Sequence, residues 1–143
     1  GEGCVICNIA SPATALEAKF SLRAAAAFAL LGIDTGRLDS WERVNEAGVR
    51  AVLDRVRVEL VPGMGLSDAV VTLEAADGRT FRREVDCGTP LADKATQSRR
   101  VAGKFLAVAS PVVGEARGRH LLDRLQDLDR EERAAALLRD ARP

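Results

Sequence analysis

The 143-residue chain carries 21 Lys+Arg against 21 Asp+Glu, is 47% hydrophobic and 29% charged, and contains no tyrosine. That is the balance of a globular domain with a sizeable core, and not that of a disordered chain. Cancelled charge and scarce aromatic rings exclude nucleic acid and an anionic membrane surface as natural partners, and no apolar run reaches the ~18 residues of a membrane span.

The chain starts at Gly1 and has one methionine, Met64. With no basic start and apolar run of a secretory signal, it is read as a segment of a longer cytoplasmic protein. The three cysteines, Cys4, Cys7 and Cys87, are an odd and sparse set that fits a reducing compartment.

Thr14 and Glu17 have the T-x-x-E spacing of a capping box. It predicts a helix from about Ala15 to Leu31, stopped by Gly32, with Leu16, Phe20, Ala24, Ala27, Phe28 and Leu31 on one apolar face. "IDTGRLDSWERV" follows as a turn and a short helical stretch, with Ser40 as a cap before Trp41. Asn45 is the expected cap of a further helix through "EAGVRAVLDR". In "RVRVELV" the period changes to two, the mark of a half-buried strand, and "VPGMGLS" is a loop.

"DAVVTLEAADGRTFRREVDCG" reads as a hairpin around Asp77-Gly78, a pair suited to a two-residue turn. Ala69, Val71 and Leu73 line one face, with Phe81 and Val85 on alternate positions of the second strand. The last third is helical: "SRRVAGKFLAVA" and "GEARGRHLLDRLQDLD" are separated by Pro111 and Gly114, and "REERAAALLRD" closes the chain. Leu121, Leu122, Leu125 and Leu128 form an apolar stripe. The expected fold is α+β: one domain over residues 1–143, with a small antiparallel sheet of three to four strands covered by helices.

The chemical motifs are sparse. Cys4 and Cys7 have C-x-x-C spacing, but only Cys87 and His120 remain as further zinc ligands, at no finger-like spacing. No long helix opens at the pair, as a thioredoxin-type motif requires, so two small apolar residues are the simpler reading. His120 is the sole histidine, and no nucleophile can be placed beside it from sequence. "PGMGLS" leads into a strand and not into the helix N-terminus that a phosphate loop needs. "DRLQDLDREER" is a solvated helix face, and Arg99, Arg100 and Lys104 are exposed helix charges or a small basic patch.

"EAKFSLRAAAAFALLG" carries the remaining signal. Its alanines suit close helix packing. Lys19 and Arg23 stand four residues apart near the predicted helix start, where the macrodipole gives cations no support. Lys19, Ser21 and Arg23 are therefore either ordinary first-turn residues or the wall of a cleft that holds a carboxylate ligand.

Several stretches together resemble the C-terminal domain of the MmgE/PrpD family. They are "ATALEAKFSLRAAAAFALLG", "RVRVEL", the hairpin around "ADGRT", and "CGTP" followed by "VAGKFLAVA", in family order from about residue 14 to 106. The chain departs from the pattern at "LADKATQSRR", where a second proline is expected. The family includes 2-methylcitrate dehydratase, cis-aconitate decarboxylase and iminodisuccinate epimerase. The resemblance implies a two-domain enzyme in which a helical N-terminal domain carries most catalytic residues and a smaller α+β domain covers the cleft. It implies proton chemistry beside a carboxylate on small di- and tricarboxylates, with no metal or organic cofactor. This chain would then be the lid half, inactive alone, with Lys19, Ser21 and Arg23 binding substrate, no catalytic residue of its own, and the missing helical domain or a second copy as protein partner. Two other readings stay open: a non-catalytic dimerisation or regulatory module, and a redox or metal domain using its cysteines.

Overall fold

A computed structural model describes residues 7–130 and 134–142. The fold mixes helix and sheet, and the chain divides into two compact units. The first comprises Gly1–Ile33 and Trp41–Ala92, and the second Asp34–Ser40 and Asp93–Pro143.

The first unit opens with the capping box. The Thr14 hydroxyl accepts from the Glu17 amide at 3.2 Å, and Glu17 Oε2 accepts from the Ala13 and Thr14 amides at 2.7 and 3.0 Å. Helix α1 spans Ala15–Lys19 and α2 spans Leu22–Leu30. The expected single helix over Ala15–Leu31 is thus two. Ser21 takes an extended backbone (φ −123°, ψ 109°) and forms an antiparallel bridge with Asn8. The Ile9 amide donates to the Phe20 carbonyl at 3.1 Å, and the Leu22 amide to the Cys7 carbonyl at 2.9 Å. The break shifts the helical phase, which leaves Leu16 65% exposed while Ala18, Ala24, Ala27 and Phe28 are buried.

Helix α2 ends as the sequence predicts. Gly32 has φ 67°, its amide donates to the Ala29 carbonyl, and the Ile33 amide donates to the Phe28 carbonyl at 2.9 Å. This is the double bond pattern of a Schellman ending, and buried Ile33 supplies its apolar contact. A 3-10 stretch over Asp39–Asn45 leads to α3, Ala47–Leu53. Asn45 does not cap it: Glu46 holds the N-cap position without a side-chain bond. The Asn45 amide group instead donates to the Ala13 carbonyl at 2.9 Å and accepts from Arg50 at 2.6 Å. Small Ala24 and Ala27 let α2 lie close to α3, where Val49 and Leu53 are buried. The rings of Phe28 and Trp41 meet at 5.2 Å, tilted by 49°. Burial of a phenylalanine like Phe28 is worth about 3–5 kcal/mol against alanine.

One antiparallel sheet is present among the described residues, made of β1 (Asp68–Glu74) and β2 (Thr80–Asp86). The expected sheet of three to four strands exceeds this, because "RVRVELV" after Arg55 is not paired as a strand. A period-two pattern reports that one face can be buried, but a strand also needs a ladder partner. The hairpin turn differs from the two-residue form. The Ala75 amide donates to the Arg79 carbonyl at 2.8 Å, which leaves a loop of Ala76, Asp77 and Gly78. Gly78 alone takes positive φ, 86°, as a three-residue hairpin loop requires. Asp77 Oδ1 accepts from the Arg79 amide at 3.1 Å and steadies the loop.

The second unit is helical. Helix α4 spans Lys94–Val113 behind the N-cap Asp93, whose carboxylate accepts from the Ala95 and Thr96 amides. Pro111 does not separate the helices: α4 runs through it and stops at Gly114, φ 84°. Proline has no amide to donate to the carbonyl four residues back, so α4 carries that missing bond within its last turn. Helix α5 spans Glu115–Gln126 and packs on α4, with Leu121 and Gly118 buried. Leu128, expected in the same stripe, falls in a short 3-10 turn and is exposed. Helix α6, Ala134–Asp140, is tied to α5 by an ion pair between Arg124 and Asp140.

Candidate functional site

Lys19, Ser21 and Arg23 lie on either side of the α1–α2 break. Their relationship is not the i, i+4 pair of one helix. Lys19 occupies the last turn of α1, an end where the helix dipole favours a cation, and Arg23 lies in the first turn of α2.

Ser21 is 2% exposed and its hydroxyl is used twice. It accepts from the Ala24 amide at 3.2 Å as the N-cap of α2, and it donates to the Ile9 carbonyl at 2.7 Å. A serine hydroxyl has one proton to give, and here Ile9 holds it. Arg23 is half-buried, and its Nη1 donates to Asn8 Oδ1 at 2.7 Å. Lys19 is exposed and makes no ion pair among the described residues. The three residues thus divide in role: Ser21 and Arg23 fasten the break to the segment before α1, and Lys19 presents a cation beside the fastened turn.

The carboxylate of Glu17 lies below the usual range because the Ala13 and then the Thr14 amides donate to it. It therefore stays ionised near neutrality and holds the entrance of α1 in place. Nothing in the sequence marks Asn8 and Ile9 as partners of this turn. They contact it across 15 and 12 residues, and only folding brings them there.

Other groups offer less chemistry. In the second unit, α4 and α5 flank an open groove of about 410 Å³ lined by Val101, Phe105, Leu122 and Leu125. Lys94 is its one charged residue, and no carboxylate or imidazole lines the groove. A second hollow contains Arg37 and Arg119, but Asp39 and Glu115 pair with them at 2.5 and 2.7 Å. His120 is exposed, with Nε2 4.0 Å from Asp140. Cys7 is a half-buried free thiol and Cys87 an exposed one, whereas Cys4, and with it the C-x-x-C spacing, lies outside the described residues. No group of three metal-ligating side chains converges among the described residues. No described helix is long and apolar enough to cross a membrane.

The site is therefore a pinned turn that presents Lys19 as an exposed cation, a group able to hold an anion. Comparison with protein-family models, with curated proteins and with solved structures finds no match to this chain.

Proposed function

We propose that the chain is the cleft-covering C-terminal domain of a cytoplasmic MmgE/PrpD-like lyase or isomerase acting on small di- and tricarboxylates. The observation that carries this reading is Lys19, an exposed cation with no ion pair among the described residues, on a turn that Ser21 and Arg23 pin in place. The ordered likeness of residues 14 to 106 to that family supplies the cleft for it to face. Lys19 would hold a substrate carboxylate and stabilise charge that develops beside it. Ser21 is a positioning residue in this scheme, and Arg23 adds positive potential while keeping its bond to Asn8. In this scheme the base that takes the proton belongs to the helical domain. Within the assembled enzyme, "RVRVELV" would add the third strand to the edge of β1.

The test is to assay the isolated chain and the longer polypeptide on 2-methylcitrate, cis-aconitate and iminodisuccinate. Activity is expected only from the longer protein, and Lys19→Ala there should raise KM for the accepted substrate about tenfold, the order expected for one charged contact. Turnover by the isolated chain, or an unchanged KM in Lys19→Ala, removes the reading. A non-catalytic interaction module is the second reading, favoured by the exposed apolar face of the hairpin.

A further inference from the structure

The β1–β2 hairpin has two unlike faces. The register pairs Ala69 with Val85, Val71 with Arg83 and Leu73 with Phe81 on one of them. That face is apolar except for Arg83 at its centre and, at the turn end, the Arg79 guanidinium 5.6 Å from the centre of the Phe81 ring, and it is open, with Val71 57% and Phe81 51% exposed. On the opposite face Thr72 pairs with Arg82 and Glu74 with Thr80, an ordinary solvated surface. An antiparallel sheet with this asymmetry is built to have its apolar side covered.

Arg83 decides what can cover it. The other hairpin arginines are matched within the hairpin, Arg79 to Asp77 and Arg82 to Glu84, each at 2.7 Å. Arg83 has no ion pair among the described residues. A purely apolar cover would strand its guanidinium away from water, which is costly without a counter-charge. A second copy placed face to face would bring Arg83 toward its own image at the centre of the contact, with the same penalty and added repulsion.

We propose that this face docks an amphipathic helix of a partner protein, with an apolar stripe laid along the Ala69–Val85 and Leu73–Phe81 pairs and one carboxylate against Arg83. The three stacked pairs extend about 14 Å along the strands, which about nine residues of helix cover. The guanidinium fork suits two-point contact with a carboxylate. A face of this size falls below that of a stable interface, so the association is transient. The proposal does not rest on the lyase reading and stands if that reading fails.

The test uses the full chain and labelled, alanine-rich helical peptides of about 18 residues, long enough to hold helix in water. Each carries a leucine stripe, with Glu, Gln or Lys at one central position. Fluorescence anisotropy should show the Glu peptide binding at least tenfold tighter than the Lys peptide, with Gln between them. Arg83→Glu should reverse that order, and circular dichroism should confirm that the variant is folded. Equal affinity for the peptides, an order unchanged in Arg83→Glu, or no binding of any peptide overturns the proposal. Self-association in sedimentation that Arg83→Glu strengthens would assign the face to a second copy and overturn it as well.

Discussion

The Ser21 hydroxyl donates to the carbonyl of Ile9 across 2.7 Å while accepting from the Ala24 amide, so one buried atom caps α2 and anchors the segment before α1. Ser21→Ala breaks both contacts and leaves a part-buried carbonyl without its donor. A lost N-cap and an orphaned acceptor together cost about 1–2 kcal/mol. The sole tryptophan, Trp41, packs on Phe28 in the same unit, so its fluorescence in a urea titration reports the loss. A midpoint equal to that of the parent chain would mean that Ser21 does not fasten the break.

Lys19 and Arg23 should separate in the same titration. Arg23→Ala removes the bond to Asn8 and should destabilise by about 1 kcal/mol. Lys19→Ala removes an exposed side chain with no ion pair among the described residues and should stay within about 0.5 kcal/mol. A large effect at Lys19 would show that it is structural and weaken its role in holding a ligand.

The capping box gives a pH dependence of defined sign. The Glu17 carboxyl is lowered by the Ala13 and Thr14 amides that donate to it. A carboxyl lowered in the folded state adds stability that is fully present above its unfolded value and is lost as pH falls through the folded one. Glu17→Gln should therefore differ most from the parent near neutrality and converge with it in acid, measured by urea midpoints from pH 7 downward. Asp93, lowered chiefly by the Thr96 hydroxyl, should behave alike in the helix signal of the second unit. A Glu17→Gln difference that grows in acid contradicts the assignment.

Two helical glycines should respond oppositely to alanine. At Gly103 in α4 an added Cβ meets nothing within 4 Å, so Gly103→Ala should stabilise by about 0.5–1 kcal/mol through helix propensity. At Gly118 in α5 the Cβ would lie 3.0 Å from Ser110 Oγ and 3.6 Å from its Cα. That crowding offsets the propensity gain, and Gly118→Ala should be neutral or destabilising. Thermal melts followed at the helix band distinguish the two, and equal gains would show that α4 and α5 pack less closely than described.

Local chemistry was readable in the sequence wherever neighbours within a few residues settle the outcome. The Thr14/Glu17 box needs only residues in one turn, the Gly32 ending only a positive φ after α2, and the alternating hairpin only its own two strands. Where local preferences compete, the sequence misled. Phe20–Ser21 sits in a strongly helical pattern, yet the extended partner Asn8–Ile9 captures the Ser21 backbone and hydroxyl. Pro111 looks like a stop, yet α4 carries the bond it removes and ends three residues later, at Gly114.

By itself, then, the sequence determined the mixed α and β character, the apolar face of the hairpin and the small-residue surface of α2 that lets a neighbour approach closely. Those features follow from periodicity and side-chain size. Only the tertiary structure decided that Lys19 and Arg23 belong to different helices, that Ser21 spends its proton on Ile9, and that Arg83 has no ion pair among the described residues. Each depends on which groups meet across a long stretch of chain, and a bond to a distant partner outweighs the modest per-residue preferences that a sequence displays.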